Sequence, residues 1–153
     1  MKRLTGFTAI LVLTLLLTAC KKEKAVPPPK DCEPATLPHT LDVPATKRWI
    51  DAEMYLEAGQ SVQITASGEA DLEDGKYPTT PAGKESCDNS IWGSCSLEGV
   101  GWGILLGRIG DGSPFVIGAS ARITAEESGC LSLGANDVYY DDNSGSYSVT
   151  IDD

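Results

Sequence analysis

Residues 136–151 read NDVYYDDNSGSYSVTI. Asn136, Asp137, Asp141, Asp142 and Asn143 crowd oxygen-bearing side chains into one short stretch, and an alternating segment follows at once. Hard oxygens at such density are the donor set of calcium, which takes six to eight of them at about 2.3–2.6 Å. Asp137, Asp142 and Asn143 can supply side-chain oxygens, and a tight turn between them can aim backbone carbonyls inward. If Asp137, Asp141 and Asp142 converged without a cation, like charges ~4 Å apart would repel by about 4 kcal/mol at an effective dielectric of 20. Either the carboxylates splay into solvent, as the ordinary turn chemistry of Asn and Asp allows, or a cation holds them together. The EF-hand loop is a poor template. With Asp141 and Asn143 at its first and third positions, Gly145 falls at the fifth rather than the sixth, and Asp152 stands where a Glu should close the loop.

Catalytic chemistry finds little to work with. His39 is the single histidine and sits in a proline- and charge-rich stretch, which removes histidine triads and zinc–histidine sites. Glu69, Asp71, Glu73, Asp74 and Asp137 could form a glycosidase-type carboxylate pair, but an acidic chain offers such pairs by chance. Gly99-Val100-Gly101-Trp102-Gly103 reads as strand punctuation rather than a phosphate loop. No enzymatic activity is expected. From Asp31 onward six Lys/Arg face 21 Asp/Glu, which argues against nucleic acid as a partner and suits divalent cations.

These residues need an exported scaffold. Lys2 and Arg3 precede an apolar run, Gly6 to Ala19, that is shorter than the roughly 20 residues of a membrane-spanning helix and has the layout of a secretory signal. Its end, Leu17-Thr18-Ala19-Cys20, resembles the lipobox of bacterial lipoproteins. The resemblance implies cleavage after residue 19 and a multiply acylated Cys20, since one acyl chain anchors only marginally. Lys21 follows it, where an Asp often marks inner-membrane retention in that family, so an outer-membrane or cell-surface destination is expected. Residues 20–40 form a lipidated cysteine and a Pro/Lys-rich tether, PPII-like around Pro27-Pro28-Pro29. Residues 41–153 are long enough for one domain with its own core. With Cys20 lipidated, Cys32, Cys87, Cys95 and Cys130 read as two disulfides. Cys87 and Cys95 flank one Gly/Ser-rich loop and should pair locally, which leaves Cys32 for Cys130. Zinc is a weaker use of these thiols, without a Cys-x-x-Cys or a nearby His.

The domain shows short period-two segments: Ser61–Ala66, Ala121–Ala125, Cys130–Leu133 and Tyr147–Ile151. Gly103–Ile109 is a more continuous apolar run, as a central strand would be. Gly-containing turn signals separate them, and no helical stripe of useful length occurs. The expected fold is all-β, a small antiparallel β-sandwich of jelly-roll type. Residues 69–102 form a long, strand-poor excursion of the kind that is usually functional.

The ordered series of motifs resembles the PA-IL-like (LecA-like) family of bacterial galactose-binding lectins across roughly residues 45–153. It consists of Ala58–Gly68 as an early hairpin, Pro81-Ala82-Gly83 as the end of a site loop, and Gly103–Gly110 as a central strand. Gly129–Leu133, Asn136-Asp137-Val138 and Asp142–Val149 then form a C-terminal loop and strand. The resemblance implies one calcium ion bridging protein and two sugar hydroxyls. Its ligands would be Asp137, Asp142 and Asn143, with backbone carbonyls from Tyr139 (or Tyr140) and from Leu72 or a neighbour. Asp137 and Asp142 would also face the sugar. The His and Gln that hold sugar in the family's middle loop have no counterpart in residues 84–102. Asp88, Asn89 and Ser90 could replace them, with Tyr77, Trp92 or Trp102 stacking on a sugar face. The expected function is a lipid-anchored, calcium-dependent, lectin-like protein. The alternative is a structural or adhesive lipoprotein on the same fold without sugar binding. The family lectin is a homotetramer; this sequence leaves the oligomeric state open.

Overall fold

A computed structural model describes Cys32, residues 35–87 and residues 95–153. Cys20, Asp88, Asn89, Ser90 and Trp92 lie outside the described residues. Nine strands and no helix are present among those described. They are β1 (His39–Pro44), β2 (Ile50–Leu56), β3 (Ser61–Asp71), β4 (Pro78–Thr79), β5 (Leu105–Ile109), β6 (Phe115–Val116), β7 (Ser120–Thr124), β8 (Gly129–Ala135) and β9 (Ser144–Asp152). Every pairing is antiparallel. One sheet runs β1-β9-β3-β4 with β7 also on β3; the other runs β2-β8-β5-β6. The long β3 accepts β7 along Ser61–Thr65 and β4 at Ala70–Asp71, so two short strands share one side of it.

Alternation decides which faces meet. In β9, Tyr147, Val149 and Ile151 are buried while Ser148 is exposed; in β3, Val62 and Ile64 point inward. Leu105, Leu131, Leu133, Ala52, Met54 and Leu56 close the core from the other sheet. Each fully buried Leu or Ile contributes about 1.5–3 kcal/mol relative to exposure. The expected β-sandwich is thus observed.

β1 begins at His39, two positions before residue 41, and Ala35 and Leu37 already pack on the core. His39 pairs with Ile151, whereas Pro44, at the other end of β1, pairs with Ser146 close to the acidic turn. The single histidine therefore stands about five residues of strand away from that turn, roughly 17 Å.

The segment read as strand-poor holds more strand than expected. β3 continues to Asp71 and β4 returns against it, making residues 71–78 a β-hairpin. Its tip is built from Asp74 (φ 45°) and Gly75 (φ 83°), with the Lys76 N–H donating to the Glu73 carbonyl at 2.8 Å. Two successive positive φ values are what an Asp-Gly type I′ turn supplies. The Asp71 carboxylate accepts from the Glu73 and Gly75 N–H groups at 3.0 and 2.6 Å and fixes the tip. Residues 84–87 and 99–102 then run alongside each other: Trp102 N–H to Glu85 O at 2.9 Å, Cys87 N–H to Val100 O at 2.8 Å.

Both expected disulfides are present, Cys87–Cys95 and Cys32–Cys130. The second closes a separation of 98 residues.

Candidate metal and ligand site

β8 ends one sheet and β9 begins in the other, so residues 136–143 cross the end of the sandwich. Asn136 anchors the crossing. It is fully buried; its Oδ1 accepts from Leu97 N–H at 2.8 Å, and its Nδ2 donates to the Leu97 and Gly101 carbonyls at 2.9 and 3.1 Å. Its backbone carbonyl accepts from Gly103 N–H at 3.0 Å. Gly103 is the hub: its φ is +75°, and a Cβ there would lie 2.5 Å from Thr79 Cγ2 and 2.9 Å from Leu72 Cδ1. Tyr147 donates its hydroxyl to the Gly103 carbonyl at 2.8 Å. Only a residue without a side chain lets these segments close on one another.

Asp137 is 1 % exposed. Its Oδ1 accepts from the Val138 and Tyr139 N–H groups at 2.7 and 3.2 Å, and its Oδ2 accepts from Asn143 Nδ2 at 2.8 Å. Its backbone carbonyl accepts from Ser96 Oγ at 2.7 Å and from the Tyr140 hydroxyl. Asn143, 7 % exposed, also donates to the Ala45 carbonyl at 3.0 Å. The one ion pair among the described residues is Lys76–Glu73, so Asp137 has no cationic side-chain partner among them. Two further oxygens at the crossing, Asp142 Oδ1 and Asn143 Oδ1, are buried and hydrogen-bonded to nothing. A buried carboxylate normally sits beside a cation, and a buried polar oxygen normally has a donor.

The β3–β4 hairpin reaches this crossing. Asp71 pairs with Ser144, and the Asp74 N–H donates to the Asp142 backbone carbonyl at 3.0 Å. Leu72, whose N–H donates to Tyr77 O at 3.1 Å, lies one residue beyond that pairing, with its side chain in the core. Leu72, Asp137, Asp142 and Asn143 are therefore gathered at one end of the sandwich. Tyr139 is 61 % exposed; the Tyr140 carbonyl accepts from Asn143 N–H at 3.4 Å and so closes the turn. Asp141 is exposed, as the splayed alternative expects, while Asp142 is partly covered. Among the described residues no three His, Cys, Asp or Glu side chains converge as a metal-holding group. The crossing instead carries the carboxylates of Asp137 and Asp142 and the amide of Asn143.

Burial raises the Tyr140 hydroxyl above its ordinary value; the nearby Asp137 charge adds to this, while Ser96 and Arg48 oppose it. Burial likewise pushes Tyr147 upward, with Thr79 opposing and Asp137 adding. Both tyrosines stay protonated donors to the backbone of the site.

Tyr77 stands beside this end, its ring 4.2 Å from that of Trp102 and tilted 40°. Asp88 and Asn89 are outside the described residues. Sequence reading overlooked Ala45, Ser96 and Asn136 as supports. Asn136 belonged to the visible cluster, but Ala45 and Ser96 carry no local signal. A larger cavity, about 740 Å³, lies at the opposite end of the sandwich, between Ile109, Phe115, Ile123 and Glu127.

The fold defines a class, the small antiparallel β-sandwich. The particular likeness is to the N-terminal domain of EclA, described as a PllA-like lectin. It aligns with a TM-score of 0.59 and 24 % identity, covering 73 % of this chain and 92 % of that one. At that identity the likeness establishes the fold. No protein-family model matches the chain, and no curated protein matches it.

Proposed function

We propose that the crossing at residues 136–143 binds one calcium ion and, through it, the hydroxyls of a carbohydrate. One observation carries the reading: a buried carboxylate with no cationic partner among the described residues lies beside two buried oxygens without donors. Asp137, Asp142 and Asn143 would hold the ion, with backbone carbonyls from the segments of Leu72 and Tyr139. Every donor in this set is a hard oxygen, which suits calcium and disfavours zinc or copper. Calcium would supply a centre whose remaining positions accept vicinal hydroxyls. The chain's own residues do the rest. Asp137 and Asp142 orient those hydroxyls, Asn136 and Tyr147 hold the loop, and Asp88, Asn89 and Tyr77 contact the sugar. The fold likeness to a PllA-like lectin and the ordered sequence resemblance support the same reading.

In this proposal the chain is anchored through lipidated Cys20 at an outer membrane or cell surface. Cys32 is bonded to Cys130 at the start of β8, while Asp137 lies just past its end. At about 3.4 Å per residue this separation is roughly 24 Å. The tether enters at one end and the ligand site opens at the other, away from the membrane.

A structural or adhesive role without sugar is the second reading. Asn143 Nδ2 already bridges Asp137 Oδ2 and Ala45 O, a network that closes without an ion. Calorimetric calcium titration and a glycan array with and without chelator separate the two. The first reading expects one calcium per chain and chelator-sensitive glycan signal. A blank array, or signal indifferent to chelator, removes the bridging role.

A further inference from the structure

The sandwich also opens sideways, between its sheets. β6 is the last strand of one sheet and β7 lies at the margin of the other, and among the described residues neither has a partner on its outer side. The cavity of about 740 Å³ lies between them, lined by Ile109, Phe115, Val116 and Ile123. Phe115 and Ile123 are only partly covered by the core, and Val116 is exposed. Glu126 and Glu127 complete the lining; both are exposed, and the Glu127 carboxylate lies over Gly112, where a Cβ would strike it. Neither carboxylate has a cationic partner among the described residues. An apolar groove bordered by unpaired carboxylates suits a ligand with an apolar middle and positive ends.

One segment of this chain has that composition and starts beside the groove. Residues 24–30 read KAVPPPK, with Ala25 to Pro29 apolar and a lysine at each end. They lie outside the described residues, but Cys32 shows where they must arrive. It is bonded to Cys130 with the two Cα atoms 5.7 Å apart. The Gly110 N–H donates to the Cys130 carbonyl at 2.9 Å, and Ile109, which lines the groove, pairs with Leu131. Neighbouring strands are about 4.8 Å apart, whereas seven residues in PPII cover about 22 Å, so the segment reaches the groove with length to spare. Three successive prolines lack the N–H groups of a ladder and cannot extend β6 or β7 as a strand. They can fill an aromatic-lined groove, because PPII loses little entropy on docking.

We propose that the β6–β7 groove is the docking site of the chain's own tether, with Ala25–Pro29 against Phe115, Val116 and Ile123 and the flanking lysines at Glu126 and Glu127. The tether is then a strap of two lengths. Docked as far as Lys24, it leaves four residues before Cys20, about 14 Å of extended chain; released, the twelve residues from Cys32 to Cys20 span about 40 Å. With Cys20 lipidated as proposed above, docking sets how far the sandwich stands from the bilayer. Short linkers give millimolar effective concentrations, so a contact of millimolar affinity populates the docked form.

The test is an amide NMR titration with a synthetic peptide of residues 24–30. It is added to the unlipidated mature chain carrying Cys20→Ser, and to the same chain with Pro27→Ser, Pro28→Ser and Pro29→Ser. These tether substitutions leave the sandwich's own packing unchanged. In the proline variant the peptide should shift amides of residues 112–116 and 123–127 and leave 136–143 unmoved. The chain with its own prolines should bind the peptide at least about threefold more weakly, because its tether competes at a higher effective concentration. Adding Glu126→Gln and Glu127→Gln to the proline variant should weaken the peptide, an effect that raised salt reproduces. A peptide that shifts none of the groove amides, or binds both chains equally, overturns the proposal. So do groove shifts that follow protein concentration rather than the tether sequence, since a second copy would then fill the groove.

Discussion

Asp137→Asn isolates the charge of the buried carboxylate while nearly preserving its shape. In the wild type the carboxylate accepts from two backbone N–H groups and from Asn143 Nδ2. The amide oxygen can keep the two backbone donors, but its new NH₂ then opposes Asn143 Nδ2. One hydrogen bond to a charged group is lost, at about 1.5–3 kcal/mol. Removing a buried negative charge that lacks a cationic partner offsets much of this. Without calcium, the melting temperature should therefore move by no more than about 5 °C. With calcium the two proteins should part. An ion at a hundred times its dissociation constant stabilises the wild type by about 2.7 kcal/mol. For a domain of this size that is about 10 °C. Asp137→Asn should show almost none of this shift. The assay is a thermal melt of both proteins in chelator and in a calcium series. A variant that gains as many degrees from calcium as the wild type would refute the reasoning, because the ion would then lie elsewhere.

Tyr147→Phe should cost about 1 kcal/mol at pH 7, because the Gly103 carbonyl loses its donor. Burial raises the Tyr147 hydroxyl in the folded state, so its contribution is complete below about pH 10, the unfolded value, and fades as pH rises through the folded value. Urea melts from pH 8 to 11 should show a shallower alkaline loss in the variant, with a residual slope from Tyr140 and Tyr77, which are raised likewise. Gly103→Ala should destabilise by about 2–4 kcal/mol in the same assay, since its methyl group meets Thr79 and Leu72 at a positive φ. Replacing both Cys32 and Cys130 by Ser should cost about 4–5 kcal/mol, against about 2–3 kcal/mol for Cys87 and Cys95, because the closed loops differ so much in length. Guanidinium unfolding of the two double variants measures the ratio.

The sandwich was legible where period two is long enough to see. Val62 and Ile64, Leu131 and Leu133, and Tyr147, Val149 and Ile151 mark inward faces that the structure reproduces. β2 alternates Ile50, Ala52, Met54 and Leu56 with more polar neighbours, yet it lacks the β-branched residues that mark a strand beyond Ile50, so its signal is faint. β1 stood beside a proline-rich stretch that masked its alternation, and β4 and β6, two residues each, are too short to carry a period. Asp74-Gly75 was a hairpin signal inside a segment judged strand-poor by its polarity. At the site, Asp137 and Asn143 could be read because they are near in sequence. Ala45 O, 98 residues from Asn143, and Ser96, 41 from Asp137, could not, since tertiary folding alone brings them there.

The most direct test is a crystal of the mature domain grown in calcium, with anomalous differences collected at long wavelength. The account predicts one peak at about 2.3–2.6 Å from oxygens of Asp137, Asp142 and Asn143. A map without a peak there, with the Asn143 amide still donating to Asp137, would contradict it.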